Sequence, residues 1–211
     1  MNTLRSYNIC FLGKTGYGKS SLINCLFGTN FSTNPFYSCT KELYSVTTLK
    51  DVPQGFDAIT VYDTPGIGEF ADNEPYQKYY DYAFSNADVV VLVSTFSRAD
   101  APEQELLMDL KKFINSSKEI KFIIALNHID SSKVALSTDY EPWNNDKNIP
   151  SDECVLLINE RIKILHEKFD SLFMPSCIVP VCAMRDYGIQ ELKDTCLLYT
   201  SPSPRDGATS R

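Results

Sequence analysis

The 211-residue chain lacks a surplus of basic charge: 20 Lys and Arg against 27 Asp and Glu leave a formal net charge of −7. That excludes a broad nucleic-acid or anionic-membrane surface, because both need clustered Lys and Arg. It lacks a long apolar run. The longest, residues 89–93, is far short of the roughly 20 residues a spanning helix needs. The opening "MNTLRSYNIC" holds no apolar stretch long enough for a signal peptide. No CxxC occurs among the seven irregularly spaced cysteines. They are therefore expected to be reduced intracellular thiols, mostly small core residues, with Cys10 and Cys25 facing inward. Internal repeats are absent as well. What remains is an ordinary globular composition, 43% hydrophobic and 22% charged, of a size for one domain and expected in the cytoplasm.

Strand and helix patterns alternate along it. "YNICFLG" (7–13) is a β-rich apolar run, and "KSSLINCLF" (19–27) is an amphipathic helix that stops at Gly28. "FDAITVYD" (56–63) alternates apolar and polar residues, predicting a strand with one more exposed face. "ADVVVLVS" (87–94) and "IKFIIALN" (120–127) are continuous β-branched runs suited to strands buried on both faces of a parallel sheet. Helices are predicted over 102–114, opened by Pro102, and over 150–169, where Pro150, Ser151 and Glu153 are the start signals. "CIVPVCA" (177–183) is a last short strand and "GIQELKD" (188–194) begins a last helix. Residues 131–149 lack periodicity and are predicted to be an exposed insertion or long loop. Alternation of this kind implies a parallel sheet covered on both faces, with ligands at the carboxyl ends of the strands.

The tail departs from this pattern. "CLLYTSPSPRD" (196–206) back-translates into a sequence that resembles a transposase mosaic end followed by its sequencing adaptor. Residues 196–211 are accordingly expected to be an adaptor-derived, disordered or non-native tail. The domain proper is expected over 1–195, cut in its last helix, with any further domain lost.

Three motifs carry chemistry. "GKTGYGKS", Gly13 to Ser20, matches G-x-x-x-x-G-K-[ST] after a strand and at the start of a helix. Gly13 and Gly18 permit the turn, and the backbone N–H groups of Lys14, Thr15, Gly16, Tyr17, Gly18 and onward to Ser21 face phosphate oxygens. Lys19 would place its charge on the β- and γ-phosphates, and the Ser20 hydroxyl could bind Mg²⁺. "DTPG" follows the alternating strand: Asp63 could hold Mg²⁺ through water, and the Gly66 N–H could sense a γ-phosphate. "ALNHID" (125–130) ends a buried strand. The two Asp130 oxygens complement the N1–H and N2–H₂ edge of guanine, a donor pair adenine lacks. Asn127 could bond the base or tie this loop to the phosphate loop. His128 could stack on the base or be a surface residue with no role.

In this order the motifs resemble the translation-factor-type P-loop GTPases over residues 7–194, and most of all the Era-like, ribosome-binding type. The resemblance implies an α/β, three-layer P-loop NTPase fold: a mostly parallel six-stranded sheet with helices on both faces. It implies GTP or GDP with Mg²⁺ as cofactors. It makes Thr40 of "SCTKEL" the switch threonine that binds Mg²⁺ and contacts the γ-phosphate, a role for which Thr47 and Thr48 compete. It also matches "VCAMRDYGIQEL" to a base-proximal element of Cys182, Ala183 and Met184, in which the Ala183 N–H approaches guanine O6. Lys19, Thr40 and Gly66 are the implied catalytic residues. One departure matters. Small GTPases place a water-orienting glutamine directly after the DxxG glycine, and here that position is Ile67, followed by a soft switch at Gly68, Glu69 and Phe70. Slow hydrolysis of GTP is therefore expected, unless a partner supplies the missing group. Tyr76, Tyr79, Tyr80 and Tyr82 are expected to pack or to face a partner. The alternatives are a nucleotide-binding scaffold without turnover and an ATP-using P-loop enzyme. Expected partners are a protein effector or activator and a homodimer, with ribosome or membrane contact by family analogy alone.

Overall fold

The computed structural model describes residues 4–33, 42–66, 77–96, 120–134, 141–170 and 177–197. Its strands are β1 (Ser6–Leu12), β2 (Tyr44–Thr48), β3 (Ala58–Asp63), β4 (Val89–Thr95), β5 (Lys121–Asn127), β6 (Trp143–Asn144), β7 (Ile149–Pro150) and β8 (Cys177–Pro180). Its α-helices are α1 (Lys19–Phe27), α2 (Gln77–Asn86), α3 (Asp152–Asp170) and α4 (Ile189–Leu197), with 3₁₀ turns at Ile129–Val134 and Ala183–Arg185. The helix expected over 102–114 lies outside the described residues.

The six-stranded sheet has the order β2-β3-β1-β4-β5-β8. β2 runs antiparallel on the edge against β3, and every other neighbouring pair is parallel. The predicted mostly parallel α/β sheet is thus found. Its two faces follow from the period-two alternation of side chains along each strand. Ile9, Phe11, Val89, Val91, Val93, Ile123 and Ala125 pack under Leu22, Ile23 and Leu26 of α1 and Ile189 and Leu192 of α4. Cys10, Leu12, Val90, Leu92, Ile124 and Leu126 pack under Ala83 of α2 and Ile158, Leu165 and Phe169 of α3. β4 is buried along its whole length, as its unbroken "VVVLV" requires. Each fully buried Val, Leu or Ile contributes about 1.5–3 kcal/mol.

The parallel register sets the site. β1, β3, β4, β5 and β8 all point the same way, so the segments that follow Leu12, Asp63, Thr95, Asn127 and Pro180 emerge along one edge of the sheet. Phe11 pairs with Asp63, which places the second motif beside the first, and Thr95 pairs with Asn127, which places the third at the same edge beyond β4.

Several expectations need correction. β3 is not more exposed than its neighbours. It is buried at every position but Thr60, whose hydroxyl bonds Ser6 Oγ at 2.7 Å and Thr47 Oγ1 at 3.1 Å. An alternating pattern here marks cross-strand hydroxyl pairing and not a wet face. Cys25 is exposed: α1 turns Leu22, Ile23 and Leu26 inward, which leaves Cys25 on the opposite stripe. The insertion after β5 is not simply an exposed loop, because β6 and β7 form an antiparallel hairpin that buries Trp143. The last helix, α4, in which the cut near Thr195 is expected, is described as far as Leu197. Cys196 is fully buried and its carbonyl accepts the Tyr7 hydroxyl at 3.0 Å, while residues 198–211 lie outside the described residues.

Candidate functional site

The turn between β1 and α1 is a left-handed backbone cradle. Gly16 has φ 77° and Gly18 φ 87°, both in the region where a Cβ is strained. A Cβ on Gly18 would overlap Asn127 Nδ2 and come within 3.3 Å of His128 Nε2, so the third motif presses directly on the first. Gly18→Ala is expected to cost about 1–2 kcal/mol of left-handed strain before any clash. A melting point about 2–8 °C lower by calorimetry and at least tenfold weaker binding of a fluorescent GDP analogue are expected. Unchanged values for both would contradict this geometry.

Lys19 opens α1 and is buried; its Nζ donates to the carbonyls of Gly13 at 2.9 Å and Lys14 at 3.2 Å. The ammonium thus lies folded over the cradle on carbonyl oxygens, and the Tyr17 N–H closes the same turn on the Lys14 carbonyl at 3.2 Å. Tyr17 contributes backbone alone to this site, because its ring is packed in the core under α1. Ser21 is half-buried on the first turn of the helix.

Ser20 Oγ donates to Asp63 Oδ2 at 2.6 Å. One hydroxyl and one carboxylate therefore converge beside the cradle, from the first and second motifs. This pair suits a hard divalent cation that takes its remaining ligands from water and phosphate, as Mg²⁺ does. A site made of protein carboxylates is not available: among the described residues no three His, Cys, Asp or Glu side chains gather to hold a metal. Thr64 Oγ1 donates to the Phe11 carbonyl at 2.8 Å, and the Tyr80 hydroxyl donates to the Pro65 carbonyl at 2.8 Å, fixing the "DTP" segment from both sides. Gly66 lies against Thr15 so closely that a Cβ would overlap Thr15 Oγ1 and meet its backbone N at 2.7 Å. A contact this intimate couples the second motif to the cradle. Thr40, Ile67 and residues 68–70 lie outside the described residues.

Asn127, the last residue of β5, bonds on both sides. Fully buried, it donates from Nδ2 to the Tyr17 carbonyl at 2.9 Å, and its Oδ1 accepts the Ala183 N–H at 3.4 Å. It ties the cradle to the loop after β8. The Ala183 N–H, expected at a guanine oxygen, is here spent on this long bond. His128 sits at φ 59°, a left-handed conformation in which His is enriched over most residues. That turn brings its ring toward Gly18. Asp130, on the following 3₁₀ turn, is half-buried and faces Cys182 and Arg185. Burial, then the Asp130 charge and a hydrogen bond to it, push the Cys182 thiol up to about 11, so at neutral pH the thiol is the donor in that bond. Met184 is 92% exposed at the rim. Arg185 falls at an unspecified position within the matched "VCAMRDYGIQEL", and its partner Asp130 is 55 positions away, so the sequence gives no local signal for it.

The cradle, the hydroxyl–carboxylate pair and the acidic third loop thus lie along one sheet edge, joined by Asn127. The family model for "50S ribosome-binding GTPase" matches residues 8–128, more than half of the chain. The chain belongs to this GTPase family. It is accordingly a guanine-nucleotide-binding GTPase domain with a phosphate-binding loop. The uncharacterized Escherichia coli (strain K12) protein YfjP is 30% identical over 216 residues, a match covering 97% of this chain and 67% of YfjP. A crystal structure of Era with MgGDPNP and 16S ribosomal RNA nucleotides superposes with a TM-score of 0.65 at 23% identity, covering 96% of this chain and 59% of Era. A crystal structure of an S. thermophilus NFeoB mutant bound to GMPPNP gives a TM-score of 0.59 at 19% identity, covering 92% of this chain and 62% of that one. The solved structures share the fold, and the GTPase chain spans about three fifths of their length. The family match ends at His128, two residues before Asp130. No helix among the described residues is long and apolar enough to cross a membrane.

Proposed function

We propose that this G domain, residues 1–195 with its last helix continuing to Leu197, is a molecular switch that binds GTP or GDP with Mg²⁺ and hydrolyses GTP slowly. The observation that carries the reading is the buried Asn127 amide, bonded to Tyr17 of the cradle and Ala183 of the base loop, which makes the two halves of a nucleotide site one unit. In this reading the N–H groups from Lys14 to Ser21 cradle the phosphates. Lys19 swings from its two carbonyls to the β- and γ-phosphates, so a charge already desolvated is applied where negative charge develops. Ser20 and Asp63, with Thr40, would hold Mg²⁺, which when bound withdraws charge from the phosphate oxygens. The Gly66 N–H contacts the γ-phosphate, and its packing on Thr15 transmits loss of that phosphate to the switch loops. Asp130 reads guanine N1–H and N2–H₂, His128 stacks beside the base, and Cys182, Ala183 and Met184 close its far side.

Ile67 can neither orient nor polarise a water, which makes the intrinsic rate low. In a single-turnover assay with Mg²⁺, phosphate release slower than about 10⁻³ per second is expected. Complete absence of release, at all protein concentrations, would favour a scaffold that binds without turnover; ATP binding as tight as GTP would overturn the guanine reading. A cytoplasmic location, a protein effector, a homodimer and a ribosomal contact are proposed on family likeness. A net charge of −7 directs any ribosomal contact to a local patch or to protein.

A further inference from the structure

The hairpin β6–β7 reaches across to the loop after β8, and its contacts converge on Arg185. The Arg185 guanidinium lies over the Trp143 ring, Cζ 4.8 Å from the centroid, and its Nη1 donates to Asn145 Oδ1 at 2.9 Å. Asn148 Nδ2 donates to the Arg185 carbonyl at 2.9 Å, while Asn148 Oδ1 accepts the Trp143 indole N–H at 3.2 Å. Tyr187 packs edge-on against Trp143 at 5.4 Å, and its backbone exchanges two hydrogen bonds with Cys182. Held on its face and at one end, the guanidinium presents Nε to Asp130 Oδ2 at 3.5 Å.

An exposed Arg–carboxylate pair alone would contribute little. This arginine differs because its rotamer is fixed by an aromatic face and an amide before it meets the carboxylate. The 3.5 Å separation is longer than the 2.7–2.9 Å or so of a charge-assisted hydrogen bond. The pair therefore biases the direction of the Asp130 carboxylate without consuming the lone pairs that two guanine N–H donors require. The Cys182 thiol hydrogen-bonds to the same carboxylate.

We propose that Arg185, braced by Trp143 and Asn145 of the hairpin, is a specificity-determining positioning residue that pre-sets Asp130 to read guanine. The inference rests on Asp130 as the base reader. Its consequence is that the hairpin, remote from the phosphates, governs how tightly and how selectively the base is held.

The test uses the full chain and GDP, xanthosine diphosphate and GMP. Arg185→Ala should raise the GDP dissociation constant about five- to tenfold, mostly through faster release, and should lower the guanine-over-xanthine ratio by a similar factor. Arg185→Lys should recover part of the loss, and Trp143→Phe, which keeps an aromatic face, should stay within about twofold of the parent. Because Trp143 is the sole tryptophan, its fluorescence should change on adding GDP, and Arg185→Ala should abolish that change. A merely structural role would lower the melting temperature and weaken every nucleotide alike with the ratio unchanged; that result overturns the proposal. Tighter GDP binding in Arg185→Ala would overturn it too, by making the arginine a competitor of the base. Asp130→Asn separates the two levels. If it switches preference to xanthine while Arg185→Ala does nothing, the positioning role alone falls; if it leaves GDP binding unchanged, base reading falls and this inference with it.

Discussion

Asp130→Asn is expected to weaken GDP binding about a hundredfold and to make xanthosine diphosphate the preferred ligand. Guanine offers N1–H and N2–H₂, two donors that need two acceptors, and the carboxylate supplies them. Asparagine supplies one acceptor and one N–H₂ donor. That pair fits the N1–H and C2 carbonyl of xanthine and sets donor against donor on guanine. An unsatisfied polar group in a half-buried site costs about 1–3 kcal/mol, and more where a charge-assisted bond is lost, which gives the hundredfold. Asparagine occupies the same volume and its Oδ1 can still accept the Cys182 S–H and face Arg185, so the loop should keep its shape. Competition of a fluorescent GDP analogue by GDP and by xanthosine diphosphate reads both halves. GDP binding within twofold of the parent would remove Asp130 from the base site.

The parts of this site that could be read from the sequence are those where the backbone itself imposes the residue. Gly18 is demanded by φ 87° and by Asn127 lying where a Cβ would go, and both constraints leave a glycine at a fixed offset from Lys19. The "VVVLV" of β4 and "FIIAL" of β5 are demanded by burial on two faces, so they read as central strands without help from the rest of the chain. What could not be read depends on partners distant in sequence. Nothing near Thr60 says that Ser6 and Thr47 will satisfy it and let β3 be buried. Strands of two residues, as in β6 and β7, are too short to show a period, so this hairpin carries no strand pattern in the sequence. Arg185 acquires its place from Trp143, Asn145 and Asp130, which lie 42, 40 and 55 positions upstream. Local pattern reports on backbone demands; side-chain networks that close over such spans need the fold first.

This division explains the two orders of effect expected of mutations. Residues the sequence exposes, in the cradle and its charge, act on binding of any nucleotide with a β-phosphate. Residues that only the fold assembles, around Asp130, act on which base is chosen. The buried Asn127 amide joins the two groups, and neither could be adjusted far without moving it.

Lys19→Met should separate phosphate binding from base reading by the largest factor of any single change. Methionine keeps the apolar stem that Lys19 buries at the start of α1, so folding should survive, at the cost of the bonds to the Gly13 and Lys14 carbonyls. What disappears is a charge in a partly desolvated turn. At about 4 Å and an effective dielectric of about 20, one charge pair is worth about 4 kcal/mol. That is close to three orders of magnitude in affinity before the relief of desolvating the ammonium is subtracted. GDP and GTP binding should therefore fall by about 10²–10³. GMP, which has no phosphate at the β position, should change by less than about threefold, because guanine contacts at Asp130 and the α-phosphate contacts of backbone N–H groups are untouched. Isothermal titration with GMP and GDP on the same protein gives the ratio directly, with calorimetric melting as the check on folding. Equal losses for GMP and GDP would mean that Lys19 holds the turn together and does not reach the phosphates, and the phosphate-loop role assigned to it would fail.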